Sequence, residues 1–301
     1  DLRISIIPTL YGENVVVRIL PTTMLFNIAE LGLSKQDLDI FDQLLKRPHG
    51  IIFLTGPTGS GKTTTLYACL SKLNTKERKI ITIEDPIEYE LAGISQIQVK
   101  PAIGLSFSSA LRSVLRHDPN IIMVGEVRDF ETAEITIQTA LTGHLVFSTL
   151  HTNDAATGVT RLIDIGIEPY LVSSSVEAFI AQRLVRVICG NCKTDVTAQS
   201  QDAVKQIERD LKADPRGIKV CKGKGCKTCN YTGYMGRTAI YEILVMRDEL
   251  RKLINEKASS DIIRKKALEL GMKTLKHDGW LKVTEGVTTP EEVFRVTHLE
   301  E

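Results

Sequence analysis

The residues Gly56-Pro57-Thr58-Gly59-Ser60-Gly61-Lys62-Thr63-Thr64 fit the pattern G-x-x-x-x-G-K-[ST], with the apolar run IIFL before them and a helical stretch after. Glycines let successive backbone N–H groups curl around phosphate oxygens. The start of a helix adds the positive end of its dipole, Lys62 neutralises β- and γ-oxygens, and the Thr63 hydroxyl can ligate Mg²⁺. A chance glycine-rich turn would not bring strand, lysine, threonine and helix together. Residues 56–64 are therefore read as a nucleoside triphosphate site.

Hydrolysis also needs groups that hold Mg²⁺ and orient water, and an open α/β sheet places them at the C-terminal ends of neighbouring strands. KIITIEDPIEYE offers Glu84, Asp85 and Glu88 just past one apolar run, and NIIMVGEVRD offers Glu126 just past another. The second departs from the usual apolar lead into an aspartate, because Gly125 precedes Glu126. Glu126 is the candidate for holding Mg²⁺ through water and Glu88 for activating the attacking water, and the two could exchange roles. Glu84 and Asp85 have a plainer reading, as caps of the following turn that solvate its surface. His144 and His151 bracket the run LVFSTL. A lone histidine in such a place is ordinarily a satisfied core or surface residue, but beside a sheet that holds a triphosphate the two suit a γ-phosphate sensor.

Cys189-x2-Cys192 and Cys226-x2-Cys229 have the paired-knuckle spacing of a structural Zn²⁺ site, four thiolates with no open position for catalysis. A thioredoxin-like redox motif would need only one such pair. The segment around them is rich in Gly and Lys, so metal would substitute for a core. Cys221 is left outside the site, and Cys69 reads as a small buried residue.

The elements that must position these groups follow from the apolar pattern. DLRISIIPTLYGENVVVRIL reads as a hairpin that needs a sheet to join, so the chain is expected to begin inside a domain. Residues 28–46 have helical spacing with Ser34 as cap. Ile51 to Leu54, Ile80 to Ile83, Ile121 to Val124 and Leu145 to Phe147 are too apolar to alternate, which indicates a buried parallel sheet with helices on both faces. From Arg186 to about Arg237 the elements are poorly defined, and from Glu249 to Thr297 the pattern is helical, punctuated by Gly271, Gly279 and Gly286. Trp280 reads as structural. The expected division is 1–27, 28–186, 187–238 and 239–301.

With 301 residues, 43% apolar and 25% charged, the chain can bury a sizeable core. Its net charge is +1, so no long-range field draws in nucleic acid or an anionic membrane. It contains no apolar run of about 18 residues and no cleavable leader, which reads as cytoplasmic.

Several ordered blocks resemble the secretion ATPase superfamily, specifically the hexameric motors of type II secretion and type IV pilus assembly. They are the P-loop, TIEDPIEYE, LRSVLRHDPNIIMVGEVRD, TGHLVFSTLHTND, AQRLVR and the cysteine module. The resemblance implies an α/β, RecA-like P-loop core that binds Mg-ATP, with a partial N-terminal hairpin, a small zinc subdomain and a C-terminal helical subdomain. It implies a homo-hexamer that moves pilin-like subunits with platform and cytoplasmic-domain proteins at the inner membrane, and no nucleic acid. It makes Glu88 the general base, Glu126 the Walker B glutamate, and His144 and His151 the histidine-box pair. Arg3 and Arg18 look like the arginines of the family's second N-terminal domain that approach the phosphates; read without the resemblance, they are as readily solvated edge charges. One or two of Arg112, Arg116, Arg128 and Arg161 would reach a neighbour's nucleotide, surface salt bridging being the plainer role. The tetracysteine module is typical of assembly and secretion motors and lacking in retraction ones, and KRPHGII looks closer to type II secretion. The rival readings are a nucleic-acid translocase and a nucleotide switch or zinc-dependent docking module that barely hydrolyses ATP.

Overall fold

The computed structural model describes residues 2–19 and 27–297. Strands β1 (Leu2–Thr9) and β2 (Gly12–Ile19) form the expected hairpin, an antiparallel pair closed at Thr9 and Gly12. Arg3 and Arg18 face each other in its register, and their side chains lie outside the described residues. Ile4, Ile6, Val15 and Val17 share one face and are all half exposed or more.

The remaining strands are β3 (Gly50–Thr55), β4 (Ile80–Glu84), β5 (Ser95–Gln98), β6 (Ile121–Val124), β7 (Leu145–Leu150), β8 (Val176–Ile188), β9 (Lys193–Asp195), β10 (Cys221–Gly223) and β11 (Tyr234–Val245). Seven of them make one sheet in the order β11-β8-β3-β7-β6-β4-β5, parallel throughout except for β11. β9 and β10 form a separate ribbon. The four apolar runs are β3, β4, β6 and β7, and every residue of each strand is buried.

Even in these strands the two faces serve different cores, as pleating requires. Ile51 and Phe53 pack with α3 (Phe107–Val114), α4 (Phe130–Leu141), α5 (Ala155–Asp164) and α6 (Pro169–Ser175). Ile52 and Leu54 pack with α1 (Lys35–Leu45) and α2 (Lys62–Leu73). Ser34 caps α1 as expected, its hydroxyl accepting from Asp37 N.

Three strands of this sheet were not foreseen: β5, which is short and only partly buried, β8 and β11. β8 contains Gln182 and Arg183, polar residues that break the apolar run yet are 2% and 4% exposed. β11 returns to the sheet across the expected 238/239 boundary, pairing Thr238 with Val185 through to Val245 with Ala178. Between them the segment read as poorly defined contains β9, β10 and α7 (Gln201–Leu211). The C-terminal stretch is helical as expected: α8 (Asp248–Asn255), α9 (Ser260–Glu269), α10 (Leu275–Thr284) and α11 (Pro290–Thr297). Trp280 is fully buried in a third core shared by α7, α10 and α11, and its indole N–H donates to Asp210 Oδ2 at 2.8 Å. Among the described residues no helix is long and apolar enough to cross a membrane.

Phe179 of β8 is fully buried and stacks on Phe53 at 5.5 Å between ring centroids. Phe179→Ala is expected to cost about 3–5 kcal/mol, read as a lower urea midpoint at unchanged m-value.

Candidate nucleotide and metal sites

Because β3, β4, β6 and β7 are parallel, their C-terminal ends open on one edge of the sheet, where a cavity of about 560 Å³ lies. Gly56, Gly59 and Gly61 adopt φ values of 147°, 80° and 90°, which side-chain-bearing residues rarely take. Space forbids a side chain as well: a Cβ on Gly61 would lie 2.7 Å from Gln182 Nε2, and one on Gly56 would lie 2.7 Å from Gln182 O. α2 starts at Lys62 with no side-chain cap, so its first amides point into the cavity unclaimed by a capping group. The Lys62 ammonium donates to Gly56 O at 2.6 Å and Pro57 O at 3.1 Å. Burial lowers its pKa to about 8, with Glu126 pulling it up and Arg183 pushing it down.

Thr58 to Thr64, Glu84, Asp85, Glu88, Glu126 and His151 all line this cavity, together with Arg128 and Arg237. Glu126 follows β6, and its carboxylate pairs with Arg128 on one oxygen and stands 3.1 Å from His151 Nε2 on the other. Gly125 now has a reason: its N–H donates to Ile83 O at 2.8 Å, and a Cβ would crowd that carbonyl at 3.2 Å. Thr149 fastens the same turn, its hydroxyl donating to Gly125 O at 2.8 Å. Thr63 and Glu126 offer a hydroxyl and a carboxylate to one space, an all-oxygen set that suits a hard cation.

Glu84 is not the solvated cap of the plainer reading. It is 3% exposed, and its carboxylate accepts from the Tyr67 hydroxyl, from Thr82 Oγ1 at 2.6 Å and from Gln96 Nε2 at 3.0 Å. Asp85 is exposed. His144 is not brought to the cavity: it precedes β7, at the opposite edge of the sheet from His151, with Nδ1 3.0 Å from Thr139 O. All four candidate arginines are exposed; Arg112 pairs with Glu131 at 2.8 Å and Arg116 donates to Arg112 O, and of the four only Arg128 lines the cavity.

Sequence reasoning missed Arg183, Gln182, Tyr67 and Gln96. Arg183 donates to Asn153 O at 2.7 Å, and Gln182 Oε1 accepts from Thr65 at 2.9 Å, so β8 braces both the P-loop helix and the turn after β7. The block AQRLVR contained two of these residues but nothing in its pattern said they were buried.

The sulphurs of Cys189, Cys192, Cys226 and Cys229 lie within 4.8 Å of one another, the one such group among the described residues. Cys189–Cys226 and Cys192–Cys229 are 3.9 Å apart and Cys226–Cys229 3.7 Å. A tetrahedron of Zn–S bonds of about 2.3 Å has edges of about 3.8 Å, so the four fit a closed tetrathiolate site. Burial alone would raise the Cys229 pKa, yet the amides of Cys226 and Gly233, at 3.2 and 3.3 Å from its sulphur, help bring it down to about 6. Cys221 stands outside this group.

A family profile described as Type II/IV secretion system protein matches residues 1–295. Type II secretion system protein E of Xanthomonas campestris is 51% identical over 302 residues, 99% of this chain and 52% of that protein. Type IV pilus assembly ATPase PilB of Myxococcus xanthus is 48% identical over 295 residues, 97% of this chain and 52% of that protein. The chain thus spans about half the length of these curated relatives. Among solved structures, the pilus retraction motor PilT with bound ADP superposes with a TM-score of 0.70 at 29% identity, over 98% of this chain and 73% of that one.

Phosphate binding favours the charged form of Lys62, whose pKa sits near 8. Affinity for a labelled ATP analogue is therefore expected to be full below about pH 8 and to fall above it, by up to about tenfold per pH unit. Isothermal titration at pH 7, 8 and 9 checks this; flat affinity would separate Lys62 from the phosphates.

Proposed function

Because the chain belongs to the Type II/IV secretion system protein family, we propose that it is the ATP-hydrolysing part of a motor for protein secretion or pilus assembly. The motor works as a homo-hexamer on the cytoplasmic side of the inner membrane, against platform proteins of its machinery. The observation that carries this reading is the convergence of the P-loop, Glu88, Glu126 and His151 on one cavity.

In this reading the amides of residues 59–64 and the Lys62 ammonium cradle the β- and γ-phosphates of ATP. Thr63 and, through water, Glu126 would hold Mg²⁺, and the ion would neutralise charge on the phosphoryl oxygens. Glu88 takes the proton of the attacking water. His151, hydrogen-bonded to Glu126, senses the γ-phosphate, and Arg128 balances Glu126. His144, Arg112, Arg116 and Arg161, remote from the cavity of their own chain, are assigned to contacts between subunits, and Arg3 and Arg18 to the phosphates. The sheet-forming residues 234–245 are grouped with the 28–186 core, leaving 189–233 as the metal unit and the helices after Val245 as the C-terminal unit.

The identities of 51% and 48% support secretion and pilus assembly almost equally. Type II secretion is placed first on the segment KRPHGII. The near-neutral charge gives nucleic-acid translocation no support.

Glu88→Gln is expected to keep ATP-analogue affinity within about threefold and to lose phosphate release by about a hundredfold or more. Normal turnover in that variant would move the base elsewhere. Elemental analysis should find one zinc per chain, and chelation should release protection from hydrogen exchange in residues 189–233 first. A folded insert without metal would sink the zinc assignment.

A further inference from the structure

Residues 85–91 between β4 and β5 have no regular secondary structure, so their backbone groups must find other partners. Two side chains supply them. The Tyr67 hydroxyl accepts from Glu88 N at 3.3 Å, and Gln96 accepts from Leu91 N at 2.7 Å while donating to Tyr89 O at 3.0 Å. Both also donate to the same buried carboxylate, Tyr67 to Glu84 Oε2 and Gln96 to Oε1.

A phenol has one hydrogen to give. The Glu84 carboxylate takes it, which turns the lone pairs of the Tyr67 oxygen toward the Glu88 amide and fixes the polarity of the chain of bonds. Burial first, then the Glu84 carboxylate, holds the Tyr67 pKa well above its ordinary value, so the phenol stays a donor at any working pH. The ring is fully buried and meets Tyr89 edge-on at 6.3 Å. Tyr67 stands on α2, the helix whose first turn carries Lys62 and Thr63.

We propose that Tyr67 is a positioning residue for hydrolysis: through its paired bonds to Glu84 and Glu88 it fixes the backbone of Glu88 to the helix that holds the phosphates, with Gln96 as the second brace. The proposal rests on the reading of Glu88 as the base. Loosening such a link misplaces the base without touching a phosphate ligand, and displacements of about 1 Å at a reacting group cost about a hundredfold in rate.

Tyr67→Phe removes one oxygen and leaves Glu84 its bonds from Thr82 and Gln96. Its kcat is expected to fall about 10- to 100-fold, with affinity for a labelled ATP analogue held within about threefold. Gln96→Leu leaves Tyr67 in place and is expected to give the same split, which guards against a folding defect in the first variant. In a Glu88→Gln background, Tyr67→Phe should lower the residual turnover no further, because the group it positions is already gone. Unchanged kcat in both single variants would overturn the proposal, and so would an equal fractional loss with and without Glu88. Full turnover in Glu88→Gln alone would instead overturn the reading of the base, a result visible before Tyr67 is altered.

Discussion

The structure depends on one demand: the backbone N–H groups of the glycine loop must converge on one point with nothing of their own in the way. That requires positive φ at Gly56, Gly59 and Gly61, and it draws β8 so close behind the loop that a single added carbon at Gly56 or Gly61 would collide with Gln182. A strand so placed has to carry polar groups into the interior and satisfy them there. Gln182 does so through Thr65, and Arg183 through Asn153 O. The bond to Asn153 reaches the turn that carries His151, so the glycine loop and the turn beside Glu126 share one support. The same placement sets Arg183 against Lys62, two cations in one partly buried space. The Glu126 carboxylate acts on Lys62 more strongly and in the opposite sense, and a polyanion seated in the cavity would relieve the repulsion further.

A second consequence concerns the acids. Glu84 is the last residue of β4 and Glu126 lies two residues past the end of its neighbour β6, but the fold uses them oppositely. Glu84 is enclosed by three donors and organises the segment that follows it. Glu126 keeps an open side, balanced by an exposed arginine and a histidine. Two carboxylates near the ends of neighbouring strands thus divide into an enclosed structural hub and a group open to the cavity according to what surrounds them.

The sequence made some of this legible and hid the rest for physical reasons. The P-loop, the cysteine pairs and the four central strands were visible because each is a local pattern: fixed spacing, or an unbroken apolar run. β8 was not, because its identity as a strand rests on Gln182 and Arg183 being satisfied by residues far along the chain. No spacing or motif singled out Tyr67, since its hydroxyl meets Glu84 and Glu88 only after folding. His144 and His151 sat symmetrically about a strand in the sequence, and a strand's two ends are on opposite edges of a sheet, so only His151 lines the cavity.

The insert between β8 and β11 begins and ends at strand partners, Ile188 beside Tyr234, with Cys189 N donating to Gly233 O at 3.0 Å. Its loss would leave the register of the large sheet intact, since a short turn could join the two strands. The obstacle lies elsewhere. α7 covers Trp280, Val283 and Val293, and without it that apolar seat would face water. A lineage that discards the cysteine-bearing insert therefore has to rewrite α10 and α11 at the same time, so the presence of the cysteines should be inherited together with a large apolar residue at position 280, although the two are distant in the sequence.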